Sequence, residues 1–357
     1  MVNKVWLAYL SIKIVYMFFA LNVYARFTQL GDTERYIDGP TFGSYNFWLN
    51  STEMMDFIAH GISIVSHPLI SHFFFVLLSF WGVYYPLKKM QVNQKELTVL
   101  LVFLSFPSFG VWTSIASKES VTVFFMGILL GLIIDLSRSN KIRNYLLILI
   151  SFYLCLLFKP QYLVAVMSTL MFIFLARRFH MGCYWPIIIM QLFAVSSILL
   201  LYFTKDYIDQ ASFMMVDHFS TESSSTRAND IWVERYDVFW NAPLGMMLAF
   251  WGPTPSEALS NVKHLMVFLE SMVIFAAFIF FVLKIILASI TKHTANFYSF
   301  GVFVTSFIWI LFVHYPFGVL NPGSAIRYRE GFYAYLLLLF AFCYLGSLKA
   351  NKKVAYA

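Results

Sequence analysis

SVTVFFMGILLGLIIDL, residues 120–136, holds one charged side chain, Asp135, in its entire length. Its apolar residues are continuous rather than alternating, so it does not read as a barrel strand; its backbone polar groups must be satisfied within a helix that lipid or protein surrounds. Charges bracket it, Lys118 and Glu119 ahead and Arg138 behind. Similar runs recur outward from it at roughly 5–25, 68–87, 97–115, 145–158, 161–176, 184–204, 264–283, 296–315 and 331–347. With 60% hydrophobic residues, 12% charged and a mean hydropathy of +0.72, the chain is not an ordinary soluble domain. The expected fold is all-α: one transmembrane domain over residues 1–357, polytopic, with about ten transmembrane helices.

Charge sets the expected orientation. With the N-terminus in the cytoplasm, the inner segments hold Lys4, the 88–95 and 138–143 clusters, Arg177, Arg178, Lys284, Lys292 and the C-terminal lysines, opposed only by Glu96 and Asp135. The outer segments carry ten cations and fifteen acids, which is the positive-inside bias and puts both termini in the cytoplasm. The pI near 9.1 therefore reflects membrane topology rather than nucleic acid. The first run has Lys4 ahead of it but no small-residue cleavage pattern over 20–24, so it reads as an uncleaved span. Cys155, Cys183 and Cys343 lie in or beside spans, which leaves no disulfide framework and no metal spacing.

The expected outer loops are 26–67, 205–263 and 316–330, with tight turns at 116–119 and 159–160. Within 230–251, Trp232, Tyr236 and Trp240 recur at helical spacing among Glu234, Arg235 and Asp237, which predicts an amphipathic helix in the headgroup layer. Residues 145–176 must supply two spans of about 24 Å each, short of a ~30 Å core, so Lys159 is expected below the outer surface. Intramembrane cations are costly and tend to face partners, cavities or anionic substrates. Lys13 is expected to snorkel inward.

The chemistry-bearing stretch is Leu30–Pro40, which packs Asp32, Glu34, Arg35 and Asp38 beside the first span. A carboxylate there could act as general base on a sugar hydroxyl or stabilise positive charge at an anomeric carbon. It could also be a solvated turn. Tyr36, Tyr45, Phe47 and Trp48 follow as possible stacking surfaces for sugar rings. Outer cations Lys118, Lys159, Arg227, Arg235, Arg327 and Arg329 are candidate phosphate ligands, each with an interfacial snorkel as the plainer reading. Asn321-Pro322-Gly323-Ser324 reads as a turn aiming Arg327-Tyr328-Arg329-Glu330 at the last span. Gly61-Ile62-Ser63 with His60 and His67 has the form of a serine intramembrane protease but lacks a catalytic histidine set in a later span. No diphosphate–metal motif, nucleotide loop or zinc cluster occurs, so metal-independent chemistry without a cofactor is expected.

Gly31, Asp32 and Tyr36, then Pro107-Ser108…Trp112…Lys118-Glu119, a Lys159-Pro160 turn and Arg327–Glu330 together resemble bacterial polysaccharide-assembly membrane proteins: the O-antigen and capsule repeat-unit (Wzy-type) polymerases and the EpsG-like family. These are similar in turn to GT-C glycosyltransferases. The 28–67 loop departs from the larger GT-C enzymes in lacking their long amphipathic helices. The resemblance implies an enzyme of the bacterial cytoplasmic (inner) membrane that joins undecaprenyl-diphosphate-linked repeat units into O-antigen, capsule or exopolysaccharide at the outer face. It implies Asp32 and Glu34 as catalytic carboxylates. Arg35, Tyr36, Lys118, Glu119, Lys159, Arg227, Arg235, Arg327, Tyr328, Arg329 and Glu330 would hold the diphosphate and sugars. Partners would be the lipid-linked glycans, the bilayer, a chain-length regulator and a flippase. A single-sugar transferase using a polyprenyl-phosphate donor, and a flippase or transporter for the same lipids, remain open alternatives.

Overall fold

The computed structural model describes residues 2–39, 46–138, 142–178, 185–220, 227, 229–260, 262–292 and 297–354. Tyr45, Lys141, Cys183 and the serine-rich run 221–225 lie outside the described residues. Among the described residues the structure is helical, with no strand. Six helices are long and apolar enough to cross a membrane: Lys4–Arg26, Pro68–Met90, Lys118–Arg138, Pro160–Arg178, Trp185–Phe203 and Phe297–Phe317. Tyr145–Phe158 and His264–Phe280 are shorter apolar helices. The chain forms two compact units, residues 1–163 with 330–338, and 164–329 with 339–357.

The first unit contains α1 (Val2–Asn22), α2 (Thr33–Asp38), α3 (Ser51–Val65), α4 (Pro68–Met90), α5 (Gln94–Phe103), α6 (Pro107–Trp112), α7 (Lys118–Arg138) and α8 (Tyr145–Phe158). At its centre α4 and α7 meet backbone to backbone. A Cβ on Gly127 would lie 1.8 Å from the Gly82 carbonyl oxygen, and one on Gly82 would lie 2.3 Å from that of Val123. Lipid gives no hydrophobic drive for helix association, so such close packing of small residues must supply the attraction. One turn on, the Tyr85 ring occupies the space a side chain at Gly131 would need. Apolar all round, α7 is buried from Glu119 to Ile134, which is where the charge-poor run of the sequence belongs.

The expected single span 97–115 is instead two helices with an irregular end. α5 starts on a capping box formed by Asn93 and Glu96. Pro107 opens α6 at its first position and holds Phe106 extended (φ −62°, ψ 144°), which breaks the helix. Residues 113–117 then run buried and non-helical. Backbone in that position must find partners, and side chains supply them. Lys13 Nζ donates to the Thr113 carbonyl (3.0 Å) and hydroxyl (2.8 Å), and Ser79 Oγ donates to the same carbonyl at 2.6 Å. The Ala116 amide donates to His72 Nδ1 at 3.1 Å. Ser120 and Thr33 hydroxyls donate to the carbonyls of Ile115 (2.8 Å) and Ala116 (3.1 Å). Lys13 therefore does not snorkel to a surface; it is spent on this segment and is 1% exposed. α8, with 14 residues, spans about 21 Å and ends at Lys159, in keeping with the short span expected there.

The second unit holds most of α9 (Pro160–Arg178), then α10 (Trp185–Phe203), α11 (Lys205–Ser220), α12 (Asp237–Trp240), α13 (Ala242–Trp251), α14 (Pro255–Ser260), α15 (Val262–Lys292) and α16 (Phe297–His314). The last helix, α17 (Pro322–Val354), contributes to both units. The 230–251 stretch is not one amphipathic helix. Tyr236 takes a left-handed backbone (φ 69°), and the chain is helical only afterwards, in α12 and α13, which break at Asn241 ahead of Pro243. Trp232, expected at the membrane interface, is buried in a core with Val238, Ala249 and Tyr315, where its indole N–H donates to the Tyr315 hydroxyl at 3.3 Å. Nor is 316–330 a loop throughout: Asn321 Oδ1 accepts the Ser324 amide at 3.1 Å, and α17 begins there, well ahead of the expected 331.

Candidate active site

In the first unit α2 and α3 build the site. Asp32 precedes α2, and the helix ends at Gly39, whose φ of 78° suits glycine and whose missing Cβ leaves room for the His60 ring of α3. His60 Nδ1 lies 2.8 Å from the Ile37 carbonyl, joining the two helices. α3 starts at Asn50, whose side chain accepts the amides of Thr52 and Glu53. In this 15-residue helix Met54, Met55, Asp56 and Ala59 are buried, whereas Phe57, Ile64 and Val65 are exposed.

Charged groups from three helices converge here. Arg35 Nε faces Asp56 Oδ1 at 3.6 Å, an ion pair longer than a hydrogen bond, and its guanidinium lies over the Tyr36 ring at 5.1 Å. The Tyr36 hydroxyl donates to Asp32 Oδ2 at 3.2 Å. From the start of α7, Lys118 Nζ donates to the Ser51 (3.1 Å) and Thr52 (2.7 Å) hydroxyls of α3. Burial pushes the Asp56 carboxyl above its ordinary range; Arg35 and Lys118 pull it down and Asp32 adds to the upward push. Asp32, Arg35, Asp56 and Lys118 thus share one electrostatic neighbourhood. The Thr33 bond to Ala116 ties it to the buried 113–117 segment, at whose far end Glu119 is buried.

Several candidates have other employment. Tyr36 is fully buried and offers no face to a sugar, and Phe47 stacks on Phe57 at 4.6 Å. Trp48 stays 62% exposed beside Tyr153 and, among the described residues, keeps a stacking surface. Glu34 is exposed in the first turn of α2, where its charge suits the helix dipole; among the described residues it makes no ion pair. Lys159, half-buried, ends α8. His67 caps α4, accepting the Leu69 amide at 3.1 Å.

In the second unit, Arg227 is engaged as a clasp. Its Nε and Nη2 bind the two Glu257 oxygens at 2.5 and 2.8 Å, and Nη1 donates to the Val319 carbonyl at 2.8 Å. Burial raises Glu257, but Arg227 and the Thr254 amide outweigh it and hold the carboxyl at about 2. Arg235, exposed, pairs with Asp206 at 2.7 Å and lies over Tyr236. Arg327 and Arg329 are two residues apart on α17, hence on opposite faces of the helix. Arg329 is buried and donates to the Phe250 carbonyl (3.1 Å) and the Ser271 hydroxyl (2.8 Å). Arg327 is half-buried over the Tyr328 ring, and Glu330 is buried.

Asp56 was missed by sequence reasoning. Its signal was present: a lone carboxylate among Met54, Met55, Phe57 and Ile58, on the buried stripe of an amphipathic pattern. Among the described residues no group of three or more His, Cys, Asp or Glu could hold a metal ion. No family model, curated protein or solved structure matches the chain, so the chemistry of the cluster rests on its own residues.

Proposed function

We propose that the chain is a membrane glycosyltransferase of the polysaccharide-assembly kind, joining polyprenyl-diphosphate-linked repeat units in a bacterial cytoplasmic membrane. It would have ten spans, both termini in the cytoplasm and the α2–α3 cluster on the outer face. The observation that carries the reading is the convergence of Asp32, Arg35, Asp56 and Lys118 beside an apolar helical bundle. Transfer of a glycan forms a bond from an acceptor hydroxyl to the anomeric carbon and breaks the bond to diphosphate. Asp32 takes the hydroxyl proton as general base. Arg35 and Lys118 match the charge of the departing diphosphate. Asp56 is a positioning residue, holding Arg35 from within the fold.

The test is the glycan ladder of cells in which the wild-type gene is replaced. Asp32→Asn should leave single-repeat glycans while the protein accumulates normally; a full ladder would overturn the assignment. Single-sugar transfer remains the nearest alternative, and a complete loss of the repeat unit, rather than of its polymer, would favour it.

A second reading, movement of the same lipids across the membrane, has one observation in its favour. The α5–α6 break with buried Lys13 beside it resembles the interrupted helices that transporters use. In that case Asp32→Asn would keep lipid-linked units on the cytoplasmic side instead of leaving them unpolymerised outside.

A further inference from the structure

α4 and α7 touch at Gly82 and Gly127, and toward their C-terminal ends they line, with the start of α8, an open cavity of about 910 Å³. Its wall is apolar and aromatic, including Leu77, Phe80, Trp81 and Ile134, and Leu77 and Trp81 are exposed as a lipid-facing wall would be. Its rim holds Lys88, Lys89, Arg138 and Arg143 against a single acid, Asp135. Two of the four cations are committed. Lys89 pairs with Asp135, and Arg138 donates to the Lys89 (2.6 Å) and Met90 (2.8 Å) carbonyls that end α4. Lys88 and Arg143 are exposed, Lys88 over the Tyr84 ring at 5.6 Å, and among the described residues neither makes an ion pair.

We propose that this cavity binds the phosphate headgroup of an anionic phospholipid from the adjoining leaflet, with Lys88 and Arg143 on the phosphate and an acyl chain along Leu77, Phe80 and Trp81. Charge complementarity selects an anion; the apolar wall selects one that carries a hydrocarbon tail. The site is separate from the candidate active site. α7 begins at Lys118 and ends at Arg138, so its 21 residues put about 30 Å between the two. It does not depend on the proposed transfer chemistry.

The test is native mass spectrometry of the purified full chain offered phosphatidylglycerol and phosphatidylcholine with identical acyl chains, and millimolar inorganic phosphate as competitor. Wild-type protein should retain phosphatidylglycerol preferentially, and phosphate should not displace it. Lys88→Gln with Arg143→Gln should reduce that preference about 30-fold, the worth of two interfacial cations. Either single variant, usable if the double one does not purify, should reduce it about 5-fold. Equal retention of the two lipids, an unchanged preference in the variants, or displacement by phosphate alone would each overturn the proposal.

Discussion

Glu257→Gln tests whether Arg227 holds the fold or the substrate. The pair is bidentate, at 2.5 and 2.8 Å, with side chains 13% and 22% exposed, so solvent screens it only partly. The carboxyl, ordinarily at 4.5, is held at about 2 in the folded chain. By linkage that difference is worth roughly 3 kcal/mol. Because the folded value is the lower one, this stabilisation is complete above about pH 4.5 and is lost as the pH falls toward 2. Glutamine keeps one acceptor but no charge, and a loss of roughly 3 kcal/mol lies at the lower edge of what breaking a buried pair costs. For a unit of this size that is a drop of roughly 6–12 °C in Tm. Trp232 lies in the neighbouring core, so tryptophan fluorescence on heating in detergent is a suitable readout. Wild-type protein should melt lower at pH 3 than at pH 7, and the variant should show less of that dependence. An unchanged Tm in Glu257→Gln refutes the clasp; an Arg227→Gln protein that melts normally but makes no polymer would return Arg227 to the substrate.

Three further outcomes follow from the geometry. Gly127→Val pushes a side chain into the Gly82 carbonyl and should cost about 3 kcal/mol or more, seen as loss of the monodisperse peak in fluorescence-detected size exclusion. Lys13→Met removes two hydrogen bonds from Thr113 and should lower stability by about 1–3 kcal/mol; a higher Tm would show that burying the ammonium costs more than its bonds return. Asp56 should gain its proton at a higher pH than an ordinary aspartate, so the proposed glycan transfer, assayed in membrane preparations, should decline from above the usual carboxylate range as pH falls. Asp56→Asn, already uncharged, should be slower and lack that step, whereas a variant with the wild-type pH profile would remove Asp56 from the mechanism.

Hydropathy located the helices well, because a long apolar run in lipid has few alternatives to a helix. It failed where polar detail decides. The 97–115 run is apolar enough for one span, yet Pro107 splits it, and the serines and threonines that look like neutral filler satisfy the buried, non-helical backbone of 113–117. Within the site, sequence pointed to Asp32, Arg35 and Lys118, which do come together, because charges in a charge-poor chain attract notice. It could not tell Arg227 or Arg329 from a ligand, since their partners, Glu257, Val319, Phe250 and Ser271, are remote in sequence. Glu34 and Asp56 illustrate the same limit: one is exposed and the other buried, and only the packing of α2 on α3 distinguishes them.

The hydroxyl of Thr33 rests on the carbonyl of Ala116, at the end of a segment held at Thr113 by Lys13 of α1 and Ser79 of α4, at the Ala116 amide by His72 of α4 and at Ile115 by Ser120 of α7. The aspartate next to Thr33 consequently inherits its coordinates from the interior. Sensitivity to substitution should therefore follow this chain of attachments rather than distance from the reacting atoms, with Ser79 and His72 ranking above closer neighbours on the surface.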